Sequence, residues 1–176
     1  AIFSSTRKRG AKADVTTWGQ VGLTGEWASL PISIYGRNSA SGTYGYFKEH
    51  VLSKGDYKAT VKEQPGSAAV VKGITEDRAG IGYSGIGYAT AGVRAVPIVG
   101  KDGKPHAADK ANVYSGDYPI SRALFVYVNK APGQALQPLV KEFLLYVLSR
   151  AGQEVVEKDG YIALTPEIVA AERAKL

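Results

Sequence analysis

Arg37-Asn38-Ser39-Ala40-Ser41-Gly42-Thr43 gathers one guanidinium, three hydroxyls and a glycine into seven consecutive positions. Such a set can hold a small oxyanion by charge, by O–H donors and by main-chain N–H groups. The flanking sequence makes the N–H groups available. Residues 31–35, with Ile32-Ser33-Ile34-Tyr35, read as a short apolar strand, and a helix is expected from about Thr43 or Tyr44 to Leu52. The first N–H groups of a helix have no partner inside it, and the helix dipole adds positive potential there. Tetrahedral oxyanions bind at such places. A Ser/Thr/Gly cluster before a helix also serves as an ordinary cap. Arg37 weighs against capping alone, because a guanidinium gains nothing from a helix N-terminus unless an anion sits between them.

The other chemistry-bearing residues offer less. Gly80-Ile81-Gly82-Tyr83-Ser84-Gly85 matches GxGxxG, but Ile86-Gly87-Tyr88 is a poor helix start and Val99 to Lys101 occupies the place of the expected acidic residue, with Asp102 nearest. Glycine packing and turns account for it better than a dinucleotide. Ser84 lacks the frame of a nucleophile elbow. His50 and His106 have no metal-ligand spacing to other donors, and Asp102, Asp109 and Asp117 read as turn residues. No acid–base pair stands out, so no catalytic residue, metal or cofactor is expected.

The elements that would position the anion loop alternate between short strands and helices, an α/β pattern. Thr17 to Gly22 reads as a short capped helix ended by glycine. A strand is expected over Asp56 to Glu63, then a helix over Ala68 to Thr75 capped by Ser67 after Pro65-Gly66. Gly80 to Tyr83 and Val93 to Val99 read as strands, and Ala123-Leu124-Phe125-Val126-Tyr127-Val128 carries the strongest strand signal. A long helix is expected over 137–151, with Leu139, Val140, Phe143, Leu144, Val147 and Leu148 inward. A helical piece at Gln153 to Glu157 and a terminal helix from Pro166 follow.

The 176 residues, 44% hydrophobic and 22% charged, suit a globular domain, and no apolar run reaches the roughly 18 residues of a membrane span. The start, Ala1-Ile2-Phe3-Ser4, does not read as a signal peptide. The absence of Met leads to the expectation that the original N-terminus has been removed. The net charge of +6 favours collection of anions. The dense basic run Thr6 to Lys12 lacks interleaved aromatics and reads as a surface loop rather than a nucleic-acid arm.

In order along the chain, the motifs resemble the phosphate-specific substrate-binding proteins of ABC transporters, a periplasmic-binding-protein family. Gly36 to Tyr44 is similar to that family's R-x-x-x-S-G-T anion loop. Thr17-Trp18 with Gly22, Pro65-Gly66-Ser67, Ile81-Gly82-Tyr83, Tyr118-Pro119-Ile120-Ser121-Arg122 and the tail Tyr161 to Leu176 resemble its other conserved-order segments. The resemblance implies an α/β fold of periplasmic-binding-protein type II, with two lobes closing on phosphate. It implies charge pairing from Arg37, hydroxyl donors Ser41 and Thr43, N–H donors Gly42 and Thr43, and a weaker contact from Ser67. Ser39 stands where many members place an Asp that accepts the proton of monohydrogen phosphate. On this mapping residues 1–119 are most of the second lobe. Residues 120–176 are the return crossover and C-terminal helices of the first lobe. The rest of that lobe is expected in a missing N-terminal part, possibly a separate chain. The implied function is non-catalytic delivery of inorganic phosphate to a permease in the periplasm, or at the cell surface if lipid-anchored. An anion-dependent enzyme such as a phosphatase and a scaffold or adhesion protein are the alternatives.

Overall fold

The computed structural model describes residues 1–176. Strand β1 (Ser33–Arg37) is the centre of a parallel sheet in the order β2-β1-β3, with β2 (Lys62–Gln64) and β3 (Gly80–Gly82) at its sides. Helix α1 (Gly42–His50) lies between β1 and β2, and α2 (Ser67–Glu76) between β2 and β3. The register pairs Arg37 with Gln64 and Tyr35 with Gly82, so Arg37 lies beyond the last β1–β3 pair at the carboxyl end of the sheet. Chain direction across the sheet reverses at β1, where open parallel sheets leave a ligand crevice.

Ile34, Tyr35 and Gly36 are buried in succession, as expected of a parallel strand covered on both faces. Tyr35 faces α2: its ring lies 2.6 Å from where a Cβ on Gly73 would stand, so only glycine fits. Gly36 points the opposite way, towards Val61 and the Tyr83 ring. On that side Phe47, Leu52 and Tyr83 form a small core with Phe3, Val51 and Tyr57. The Phe47 and Tyr83 rings stack at 4.1 Å.

Several sequence expectations shift by residues. The first strand starts at Ser33, not at residue 31, and the next covers only Lys62–Gln64 of the Asp56–Glu63 expectation. Helix α1 ends at His50, before the left-handed pair Ser53 and Lys54 (φ 53° and 58°). The turn Trp18–Val21 is a 3-10 helix closed by Gly22 at φ 96°, in agreement with the sequence. Ser67 is the first residue of α2, and Gly66 takes the N-cap position without a side-chain bond. The basic run is surface-exposed but anchored at the C-terminal end of α1: Arg9 donates to the His50 carbonyl and to Ser53 Oγ, and Lys8 to the Lys54 carbonyl. The His50 carbonyl, in the last turn of α1, carries the negative end of the helix dipole.

Of the Val93–Val99 strand only Ile98–Val99 forms (β4), pairing antiparallel with β5 (Pro105–His106). Pro97, which lacks an N–H, interrupts the rest. His106 Nε2 lies 2.9 Å from Asp102 Oδ1 within this hairpin. The hydrogen bond to Asp102 raises the His106 pKa. A pair of this sign stabilises the hairpin fully below the ordinary histidine pKa, about 6.5, and loses that contribution as pH rises through the raised value. Proton NMR should show His106 titrating above the ordinary range, and Asp102→Asn should bring it back down. An unchanged titration in D102N would disprove the assignment.

Helix α3 (Lys110–Ser115) begins at Asp109, whose carboxylate accepts from the Asn112 N–H at 2.9 Å. Asp109, read from sequence as a turn residue, is a helix cap. Residues 123–128 are not a strand: they have no ladder partner, and Leu124 (67%), Phe125 (67%) and Tyr127 (90%) are exposed. The long helix and the following helical piece both form, as α4 (Pro138–Val147) and α5 (Arg150–Lys158), but the break falls earlier than expected, at Leu148–Ser149, where Ser149 Oγ caps the Gly152 N–H at 3.1 Å. The expected inward face of α4 is partly covered, with Val140, Val147 and Leu148 half-buried. Leu144 is buried, but Leu139 is 82% and Phe143 57% exposed. Helix α6 (Pro166–Arg173) begins where the sequence placed it, capped by Thr165.

Candidate anion site

β1 ends in Arg37, and the turn Asn38–Ala40 leads directly into α1. The Ser41 N–H donates to the Asn38 carbonyl at 3.1 Å, closing the turn. Ser41 Oγ then accepts from the Thr43 N–H at 3.1 Å and the Tyr44 N–H at 3.4 Å. Ser41 is thus a helix cap, the ordinary role open to it in the sequence. Its hydroxyl hydrogen is free to donate elsewhere while its oxygen accepts. The Gly42 N–H has no intrachain acceptor. Gly42 is exposed, with Thr43 half-buried beside it.

The Arg37 side chain turns towards the start of α2. Nη1 donates to Ser67 Oγ at 2.8 Å and Nη2 to the Pro65 carbonyl at 3.3 Å, while Nε is buried without a partner. No carboxylate of the chain pairs with this guanidinium. A charge among hydroxyl and carbonyl partners, beside two helix N-termini, is oriented but not neutralised. Ser67, the weakest of the sequence candidates, is buried and holds Arg37 directly. Ser39 is exposed on the turn and makes no side-chain hydrogen bond within the chain. The structure therefore joins Ser41 with Thr43 within the β1–turn–α1 unit, and ties Arg37 at its strand end to Ser67 at the start of α2.

Two tyrosines missed by the sequence reading fix that unit from behind. Tyr83 Oη accepts from the Arg37 N–H at 3.2 Å, and Tyr57 Oη donates to the Tyr44 carbonyl at 2.9 Å. Burial raises the pKa of both phenols, so both remain hydroxyls at neutral pH. The loop is thereby held at each end by a neutral donor–acceptor that leaves the Arg37 charge intact. Ile81-Gly82-Tyr83 was legible as a motif, but nothing in it told that the phenol reaches back to β1.

The GxGxxG match resolves into β3 followed by the single 3-10 turn Ile86–Tyr88, with no helix to meet a pyrophosphate. A further cation sits at the front of α1. Arg122 Nη2 lies 3.6 Å from where a Gly42 Cβ would stand, and its guanidinium lies over the Tyr46 ring, 5.3 Å from the centroid. Tyr46 Oη donates to the Ser121 carbonyl at 2.9 Å.

A family model described as a PBP superfamily domain matches residues 1–151. The chain belongs to the PBP superfamily. It is 55% identical over 175 residues to the phosphate-binding protein PstS of Pseudomonas aeruginosa, covering 99% of this chain and 54% of that protein. It is 32% identical to PstS of Staphylococcus aureus, with 93% of this chain and 46% of that one aligned. The chain spans about half the length of the curated relatives it matches. Among solved structures it is similar to a Clostridium perfringens protein described as a phosphate ABC transporter substrate-binding protein with bound phosphate. The TM-score is 0.69 at 27% identity, over 86% of this chain and 58% of that one. A phosphate-binding protein described from Planctomyces limnophilus gives a TM-score of 0.58 at 28% identity, over 94% of this chain and 58% of that one. The α/β fold expected from the sequence is that of the PBP superfamily.

Proposed function

We propose that this chain supplies one jaw of a phosphate-binding clamp that delivers phosphate to an ABC transporter permease without chemical change. The single observation that carries the reading is Arg37, a guanidinium aimed by Ser67 and Pro65 with no carboxylate to neutralise it. The names of the PstS relatives and the phosphate bound in the Clostridium perfringens structure support phosphate as the anion. In the complete protein Arg37 pairs with phosphate, the unpaired Gly42 N–H and the Thr43 N–H, which is then shared with or released from Ser41 Oγ, donate from the main chain, and Ser39, Ser41, Thr43 and Ser67 supply hydroxyls. Residues 1–119 form most of the second lobe, and residues 120–176 return to the first. The uncovered apolar residues at 123–128 and on α4 support that division, because they lack the sheet that would bury them. The remaining part of the first lobe, on the same or a separate polypeptide, covers them. The site of action is the periplasm, or the outer cell surface if a lipid anchor holds the protein. Calorimetric titration of the complete protein with phosphate tests the binding reading. Release of phosphate from a model ester, with or without divalent metal, would instead establish an enzyme.

Ser39 sets the selectivity. A hydroxyl accepts a proton from monohydrogen phosphate less strongly than a carboxylate does. Ser39→Asp should improve preference for phosphate over sulfate by roughly tenfold or more above neutral pH, the worth of one charge-assisted hydrogen bond at about 1.5–3 kcal/mol. Competition titration with the two anions reads this out. Equal shifts for both would show that position 39 does not sense the proton.

A further inference from the structure

Arg122 belongs to the segment Tyr118-Pro119-Ile120-Ser121-Arg122, far from the anion loop in sequence. The fold brings it to the first turn of α1. Its guanidinium stands beside Gly42, whose N–H is unpaired, and against the ring of Tyr46 one turn further on. The Tyr46 phenol straps the neighbouring Ser121 carbonyl, so the approach of Arg122 is held by two contacts on one helix. Like Arg37, Arg122 forms no ion pair with a carboxylate. It also makes no hydrogen bond to the chain, whereas Arg37 is committed to Ser67 and Pro65.

That placement is unfavourable on its own. The N-terminal end of a helix carries partial positive charge, and a cation set there is repelled. The stacking on Tyr46 offsets part of the cost and fixes the position without removing the charge. An anion between the α1 N-terminus and the guanidinium reverses the sign of the interaction. Gly42 places no side chain between the helix start and the guanidinium: Arg122 Nη2 lies 3.6 Å from where a Cβ would stand, ordinary contact distance.

We propose that Arg122 is a second anion-directed cation of this site, carried in on the return segment and drawn to the same phosphate as Arg37. The inference rests on the phosphate reading above. Arg37 comes from the end of β1, and Arg122 reaches the first turn of α1 from the segment before residues 123–128. Binding then ties the anion loop to the segment that leads into residues 123–128. Because Arg122 is exposed, its contribution is screened by salt and acts on the encounter rate as well as on the final affinity.

The test uses the complete phosphate-binding protein and inorganic phosphate, with variants Arg122→Gln, Arg122→Lys and Arg37→Ala. Calorimetry and stopped-flow association are run at low and at high ionic strength. R122Q should weaken binding by roughly tenfold at low salt, with slower association and a smaller deficit at high salt, as expected for a partly exposed charge. R122K should recover most of the association rate, because it keeps the charge. Denaturant midpoints of R122Q and R122K should match the parent. If R122Q binds phosphate as the parent does at both salts while R37A binds poorly, Arg122 is only a strap on α1 and the proposal is overturned. If R37A also binds normally, the anion-loop reading itself fails and takes this inference with it.

Discussion

Arg37→Ala, made in the complete protein, is expected to weaken phosphate binding by roughly 2–5 kcal/mol, the usual cost of truncating one member of a buried charge pair. That corresponds to about 30- to 5,000-fold in Kd. The size follows from what the residue does not have. Its guanidinium bonds to Ser67 Oγ and the Pro65 carbonyl, both neutral, and meets no carboxylate. A doubly charged oxyanion would be its one full counter-charge, and no neighbour could replace it after truncation. The fold should survive, because the side chain is half-buried at the mouth of the sheet rather than in the Phe47–Leu52–Tyr83 core. Calorimetry with phosphate, alongside thermal unfolding without it, separates the two effects. Unchanged affinity would remove Arg37 from the site.

The second large effect concerns covering of the apolar face. Residues 1–176 produced alone should self-associate and bind a hydrophobic dye. The reason is that Phe125 (67%), Tyr127 (90%) and Leu139 (82%) are exposed with Phe143 (57%), a grouping that soluble monomers rarely show. Each such side chain is worth roughly 1.5–3 kcal/mol once covered. A contrast sharpens the test. Phe143→Ala should cost about 3–5 kcal/mol in the complete protein, where the ring is proposed to be buried. It should cost far less in residues 1–176 alone. Sedimentation velocity and denaturant unfolding provide both readings. A strictly monomeric, cooperatively unfolding 1–176 would defeat the idea and the two-lobe division with it.

The strand–turn–helix geometry around Ser41 was legible because its physics is local. A strand end, a turn with Ser at the cap and a helix start can be read from adjacent residues, and Ser41, Gly42 and Thr43 sit as their types require. Helix α6 was legible for the same reason, from Thr165 before Pro166. Residues 123–128 have strong strand propensity, yet a strand is a property of a pair, and no neighbour in this chain offers a ladder. The break between α4 and α5 was expected near residue 152 and falls at Leu148–Ser149, because the apolar period runs on past Val147. The cap Ser149 was the available sign, and its spacing to Gly152 could have been read as a helix start. Arg122 and the Tyr83 phenol could not be assigned from sequence, since each acts on a residue more than a full βα unit away.

The ties that hold Arg37 also set the order in which the site can be made. Its N–H waits for Tyr83, 46 residues later, and its guanidinium for Ser67, 30 residues later. Loop closure over such spans costs entropy that must be met before either bond forms, and parallel pairing of β1 with both β2 and β3 adds the same delay. On the ribosome, a nascent chain ending before β3 would hold the strand–turn–helix motif and the Ser67 and Pro65 partners of its guanidinium, yet leave the Arg37 N–H without Tyr83. The last main-chain tie of Arg37 thus arrives as a step when the third strand docks, well after the loop residues have been synthesised.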